Sequence, residues 1–170
     1  KSPVTGEDVP DETAQVEVYR YSNPQAPEWP DAEFIVGNPP FIGNKRMRLA
    51  MGDGYVGAVR QANPAGPETS DFVMYWWDRA ATLLQTKRIR RFGFITTNSI
   101  SQSSNRKILS HHLGPDSSLS IRYAVPDHPW VDSADGAAVR VAMTVVGHSS
   151  EPGILETVIN DTGPIGGAEY

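Results

Sequence analysis

EFIVGNPPFIGNKR, Glu33 to Arg46, is the stretch on which the fold turns. Phe34, Ile35 and Val36 are apolar in succession. An unbroken apolar run of this length predicts a central parallel strand covered on both faces, whereas alternation would predict one wet face. The run stops at Asn38-Pro39-Pro40-Phe41. Asn38 precedes a proline, so its backbone is held extended. Pro39 and Pro40 have a fixed φ and no N–H, and their carbonyls remain as rigid acceptors. Asn38 adds a side-chain acceptor, and Phe41 adds a flat apolar face. Preorganised acceptors beside a stacking surface suit a planar ligand that carries an NH₂ group. The plainer alternative is a proline turn that merely ends a strand. Its position after an apolar strand in an α/β chain favours the chemical reading.

Working outward, QVEVYRY (15–21) alternates as a strand, and SNPQAPEWPD (22–31) is a proline-rich loop. A helix starts near Arg46 and is broken by Gly52-Asp53-Gly54; YVGAVRQA (55–62) is a short helix stopped by Asn63-Pro64. DFVMYWWDRAATLLQTKR (71–88) is the clearest helix, with Phe72, Trp76, Ala80 and Leu83 on one face and Val73, Trp77 and Leu84 beside them. Its helical period marks the aromatic stripe as core, and Thr69, Ser70 or Asp71 can cap it. RFGFITT (91–97) is a second buried strand, and residues 98–113 begin as a polar loop and end as a helix. LSIRYAV (119–125) and AAVRVAMTVVG (137–147) are alternating strands around the loop PDHPWVDSADG (126–136). Leu119, Ile121, Tyr123 and Val125 are expected to share one face, and Val139, Val141, Met143 and Val145 another. ILETVI (154–159) is a candidate last strand. Strands alternating with helices predict an α/β fold with a mostly parallel sheet, closed by a C-terminal antiparallel hairpin. In such sheets function gathers at the carboxyl ends of the strands, where Asn38–Phe41, Thr97–Arg106 and Asp127–Trp130 all fall.

The composition sets bounds. The chain has 170 residues, 39% of them hydrophobic and 21% charged, with no cysteine. That suits one ordinary domain and excludes disulfides and thiolate metal sites. No run approaches the roughly 20 apolar residues of a membrane span, and no signal peptide opens the chain. The first residue is Lys1 rather than Met, as expected of a piece of a longer protein. A net charge of −5 argues against gripping nucleic acid over the whole surface, although Lys45, Arg46 and Arg48 cluster after the proline motif. Lys87, Arg88, Arg90 and Arg91 read as a solvated helix end. His111-His112 are adjacent on a helix and point about 100° apart, so they are read as surface residues rather than a metal site. Asp127, Asp132 and Asp135 are read as turn residues.

The proline motif has a specific chemical use. An exocyclic amine on an aromatic ring is a poor nucleophile because its lone pair is delocalised. Two acceptors holding its two hydrogens pull the nitrogen toward tetrahedral geometry and turn the lone pair out of the ring plane. Positioning and fixed dipoles then supply the catalysis, which suits a neutral Asn.

A strand followed by Asp, Asn or Ser, two prolines and an aromatic residue resembles the catalytic motif of amino-group methyltransferases that use S-adenosylmethionine. NPPFIGNKRMR, DFVMYWWDRAATLL, FGFITTNSISQSSNR, VPDHPWV and AAVRVAMTVVG occur in the order seen in adenine-N6 DNA methyltransferases, over most of residues 29–147. The series looks most like the large bacterial proteins that fuse methylation and restriction in one chain, of type IIL/IIG. The resemblance implies a partial Rossmann-like class I methyltransferase fold. It implies that Asn38 and the Pro39 carbonyl accept from the adenine N6 amine, with Pro40 completing the motif, and that Phe41 stacks on a flipped-out base. Trp130 is the candidate second aromatic. Asn98, Ser99, Ser101, Asn105 and Arg106 match a polar motif facing the DNA side, and Lys45 and Arg46 are candidates for holding phosphates.

The departures from the family pattern matter equally. The cofactor's glycine-rich loop and its ribose-binding acid cannot be identified, so the S-adenosylmethionine site is expected to be incomplete in this chain. No nuclease motif and no recognition domain is present. The expected organisation is a lead-in over 1–32, the catalytic half of a methyltransferase core over 33–147, and a tail over 148–170. Expected partners are double-stranded DNA through the parent protein, the rest of the core, a recognition domain and, in the fused type, a nuclease. No metal and no membrane is expected, and the compartment is the cytoplasm. The same motif also permits an RNA base or a protein glutamine as acceptor, and a non-catalytic scaffold or DNA-contact fragment is the alternative of a different class.

Overall fold

The computed structural model describes residues 1–2, 4–8, 19–64, 66, 69–130, 139–148, 152–161 and 168–169. Strand β1 (Phe34–Gly37) leads into helices α1 (Asn44–Met51) and α2 (Asp53–Ala62). Helix α3 (Val73–Gln85) precedes β2 (Arg91–Thr97), and a 3-10 turn (Asn98–Ser101) precedes α4 (Ser103–His112). Strands β3 (Leu119–Pro129) and β4 (Arg140–His148) follow, then the two-residue strands β5 (Ile154–Leu155), β6 (Asn160–Asp161) and β7 (Ala168–Glu169).

The main sheet has the order β1-β2-β4-β3-β5, and β6 pairs with β7 apart from it. β1 and β2 are parallel, as are β3 and β5, while β4 is antiparallel to both of its neighbours. The hairpin β3–β4 is therefore as expected, but the sheet is mixed rather than mostly parallel. The reason is that β4 inserts between β2 and β3 instead of lying at the edge. Two antiparallel steps restore the direction of β3, so the carboxyl ends of β1, β2 and β3 lie on one edge of the sheet.

One face of the sheet is packed under α3 and α4. Phe92, Phe94, Ala142, Val146 and Leu119 meet Val73, Met74, Trp77, Ala80, Leu84 and Ile108 there. Trp77 is fully buried and stands edge-on to Phe92, with centroids 5.3 Å apart at 86°. Burying a large apolar side chain contributes roughly 1.5–3 kcal/mol. The aromatic stripe of α3 is thus core, as its period implies. A second cluster of Met47, Val56 and Phe72 holds α1 and α2 against the start of α3. Helix α3 ends in a Schellman arrangement: Arg88 N–H donates to Leu83 O and Lys87 N–H to Leu84 O, with Lys87 at φ 58° in the position usually held by glycine. Arg88 and Arg90 then pair with Asp31 and Glu33.

The other face is open toward β1 among the described residues, although Val125 and Val141 on it are buried. Phe34 and Val36 are 55% and 87% exposed there. Together with Ile95, Met143, Val145 and Tyr123 they line a trough of about 660 Å³ that ends at Asn38. Among the described residues β1 is an edge strand, not the central strand that its composition predicts. Tyr123 and Val125 turn to this second face, away from Leu119 and Ile121; Tyr123 lines the trough and Val125 is buried. The register shifts between Ile121 and Tyr123, where Arg122 is an extra residue, and that bulge reverses the alternation. A further shift lies between Val125 and His128, so β3 runs on through Asp127 and His128, which the sequence reads as loop.

Other expectations shift as well. Residues 15–18 of the predicted first strand lie outside the described residues, and Tyr19–Tyr21 form no strand. The predicted strand 154–159 is reduced to Ile154–Leu155. His111 is exposed, but His112 is 2% exposed, with Nε2 2.7 Å from Asp78 Oδ1. It is a packed core histidine rather than a surface one. No cluster of three potential metal ligands occurs among the described residues, and no described helix is long and apolar enough to cross a membrane. Asp132 and Asp135 lie outside the described residues.

Candidate active site at the carboxyl edge of the sheet

Asn38 leaves the end of β1 with its side chain exposed at the mouth of the bare trough. Pro39 is buried and Pro40 exposed. The Pro40 carbonyl accepts from Ile42 N–H at 3.2 Å, so it closes the turn. The Asn38 amide makes no hydrogen bond to another described residue. Phe41 is half-buried.

α1 starts immediately afterwards, at Asn44. Its N-cap is Gly43, which has no side chain to offer, and its first turn has no acidic residue. Such a start leaves backbone N–H groups unpaired and a positive dipole end unanswered. The answer comes from 27 residues away: Asn44 N–H donates to Asp71 Oδ1 at 3.0 Å. Asp71 therefore caps α1 and not α3, whose own N-cap, Phe72, has no side-chain cap bond. Lys45 and Arg46 are exposed on this first turn, where cations oppose the dipole. Helix stability does not account for them there.

The second loop follows β2. Ser99 Oγ donates to Asp71 Oδ2 at 2.6 Å and lies 2.5 Å from Thr97 Oγ1. Asn105 Nδ2 donates to Asp71 Oδ2 at 2.9 Å and to Ser99 O at 2.8 Å, and Asp71 N–H returns a bond to Asn105 Oδ1 at 3.0 Å. Asn105 is 1% exposed. It departs from the expected DNA-facing position because its amide is fully engaged inside the fold. Ser99 is half-buried in the same cluster. Ser101 is exposed but donates to Asn98 O at 2.9 Å, and Arg106 is exposed on α4.

The third loop joins through Asp127. Asn98 Nδ2 donates to Asp127 Oδ1 at 2.8 Å, and Arg140 Nε donates to the same oxygen at 2.5 Å. Arg140 also donates through Nη2 to the Asp127 carbonyl. The side-chain hydrogen bond to Asp127 raises the Arg140 pKa above its ordinary value; desolvation opposes this, and the carboxylate charge adds to it. Asp127 has φ 53°, a left-handed conformation that Asp tolerates better than most residues. Trp130 follows, 41% exposed, held by its N–H to Val139 O at 2.9 Å. The three expected loops thus converge, and two carboxylates tie them together.

The model of one family, the MmeI DNA-methyltransferase domain, matches residues 8–158. The chain belongs to that family. The structure of the type IIL restriction–modification enzyme MmeI in complex with DNA is similar, with a TM-score of 0.59 and 27% identity, over 77% of this chain and 17% of that one. A modification subunit of a putative type I restriction enzyme from Vibrio vulnificus YJ016 shares the fold, with a TM-score of 0.51 and 16% identity, over 78% of this chain and 26% of that one. The chain therefore spans well under a third of either similar structure. No curated protein matches it. The mixed sheet with two helices on one face agrees with this membership.

A MmeI-type methyltransferase domain implies S-adenosylmethionine as donor. The described residues do not make a complete site for it. The turns after β1 and β2 are Asn38–Gly43 and Asn98–Gln102, and neither is a glycine-rich turn feeding a helix N-terminus. The one capped start nearby, at Asn44, is already occupied by the Asp71 carboxylate.

Proposed function

We propose that this MmeI-type domain is the base-holding half of a DNA adenine-N6 methyltransferase in a restriction–modification protein. The observation that carries the reading is the free Asn38 amide beside the anchored Pro39, at an edge where the Asn98 and Trp130 loops also arrive. Asn38 Oδ1 and the Pro39 carbonyl accept the two N6 hydrogens of an adenine swung out of the duplex. That geometry makes the amine nucleophilic, and the neutral Asn adds no charge that would hold the base after transfer. Phe41 and Trp130 stack on the base from its two faces. Lys45 and Arg46 offset the phosphates beside the displaced nucleotide, which accounts for cations on an unfavourable turn. Donor contacts belong to the rest of the core, which we place against the open trough and the edge of β1, which has no partner among the described residues. The apolar side chains that line the trough, Phe34, Val36, Ile95, Met143 and Val145, support this placement.

The test uses the full-length parent with a donor labelled on its methyl group. Double-stranded DNA, RNA and protein are offered separately, and the labelled product is digested to single units. Label in N6-methyladenine from DNA is expected. Label on a cytosine amine, on RNA or on protein would refute the reading.

A further inference from the structure

We infer that Asp71 is a positioning residue for methyl transfer, the group that sets the spacing between the Asn38–Phe41 loop and the polar loop after β2. The inference rests on the methyltransferase reading above. A carboxylate is acceptor-only and can take several donors at once. Asp71 takes three: Asn44 N–H from the first loop, and Ser99 Oγ and Asn105 Nδ2 from the second. The backbone repeats the link. Phe72 N–H donates to Ile42 O at 2.8 Å, and Ser70 Oγ donates to Ser104 O at 2.9 Å. A short segment, 70–72, therefore clips both loops at once.

The clip extends to the third loop through adjacent residues. Ser99 donates to Asp71 while Asn98 donates to Asp127, which Arg140 holds. The 3-10 turn that carries both donors is thus stretched between two acids, so any rearrangement at Asp71 is felt at the Trp130 loop. Asp71 itself is aimed into the protein rather than at the exposed edge, so it acts through these partners and not on a substrate.

Asp71→Asn keeps the shape but replaces one acceptor oxygen with an NH₂, which faces the Asn105 NH₂ or, with the amide turned over, Asn44 N–H; either way two donors face each other. Adding Asn105→Asp reverses the pair and restores a carboxylate to the cluster. One acceptor–acceptor contact with Ser99 O remains, so recovery is partial. In the full-length parent, Asp71→Asn should slow single-turnover methyl transfer by about 100-fold, the scale of a misplacement of about 1 Å. DNA and donor affinities should be unchanged, and the double variant should regain part of the lost rate. An unchanged rate, affinities that fall in step with the rate, or a double variant no faster than Asp71→Asn would overturn the inference. If Asp71→Asn does not fold, Ser99→Ala removes a single donor: slower transfer at an unchanged melting temperature supports the inference, and an unchanged rate refutes it. Asn38→Ala separates the two levels. A normal transfer rate in Asn38→Ala removes the underlying reading. Transfer slowed about 100- to 1,000-fold by Asn38→Ala but unaffected by Asp71→Asn removes this inference alone.

Discussion

Asn38→Ala in the full-length parent separates chemistry from folding more cleanly than any other substitution at this edge. The side chain is exposed and makes no hydrogen bond to another described residue, so its removal leaves no buried donor unpaired. Surface changes of that kind alter stability by about 0.5 kcal/mol or less. The catalytic effect is of another size. Removing one preorganised acceptor that strengthens its bond in the transition state costs on the order of 100- to 1,000-fold, or about 2.7–4 kcal/mol, by analogy with the loss of an oxyanion-hole donor. Pro39 keeps its carbonyl, so one of the two N6 hydrogens remains held and some residual rate is expected. The assay is single-turnover transfer of labelled methyl to a short duplex, run beside thermal unfolding of the same preparation. A duplex with 2-aminopurine at the target position reports whether the base still leaves the stack. The expected result is a rate lower by that factor, an unchanged melting temperature and retained base displacement. A normal rate would refute the acceptor role. A lower rate that merely follows a lower melting temperature would refute the claim that this side chain is free for chemistry.

Trp77→Ala should destabilise the domain by about 3–5 kcal/mol, read from the urea midpoint, because the ring is fully buried against Phe92. Trp77→Phe should cost less than Trp77→Ala, since it leaves a smaller cavity and the buried indole Nε1 has no hydrogen-bond partner among the described residues to lose. Trp130→Ala in the parent should weaken binding of a displaced 2-aminopurine by about 1–3 kcal/mol, with melting unchanged, as expected for the loss of one stacking face. Arg140 has a raised pKa through Asp127, and a raised cation contributes fully below its unfolded value and loses that contribution only as pH climbs through its folded value. Arg140→Gln should therefore slow transfer by one constant factor from neutral pH up to the arginine range. A parent-to-variant ratio that changes with pH there would contradict this.

The element order was legible from periodicity because it depends on near neighbours. β2 occupies 91–97, as its apolar pattern predicts, and the aromatic stripe of α3 is core because its spacing is helical. β1 shows the limit of that reading. Its composition suits a strand covered on both sides, yet the described residues cover only one side, so sequence reported the environment of the strand and not which elements provide it. The mixed pairing was not legible for a related reason: alternation identifies strands without stating where β4 inserts. Arg122 illustrates a smaller limit. One extra residue in β3 turned Tyr123 and Val125 to the opposite face, and nothing in the local pattern marks a bulge.

At the active edge the sequence by itself determined which loops carry polar and aromatic chemistry, and that Asn38-Pro39-Pro40-Phe41 is rigid, because proline restricts its own backbone and that of its neighbour. Only the tertiary structure decided how those loops are joined. Asp71 looked like a local cap for α3 and instead caps α1, and Asn105 looked like an outward-facing amide and instead lies inside, bonded across 34 residues. Gly43 and the acid-free first turn of α1 were the available clue that a cap had to come from elsewhere. Hydrogen bonds between distant segments follow no sequence period; they depend on where the chain brings donors and acceptors together, which is fixed only when the sheet and its helices pack.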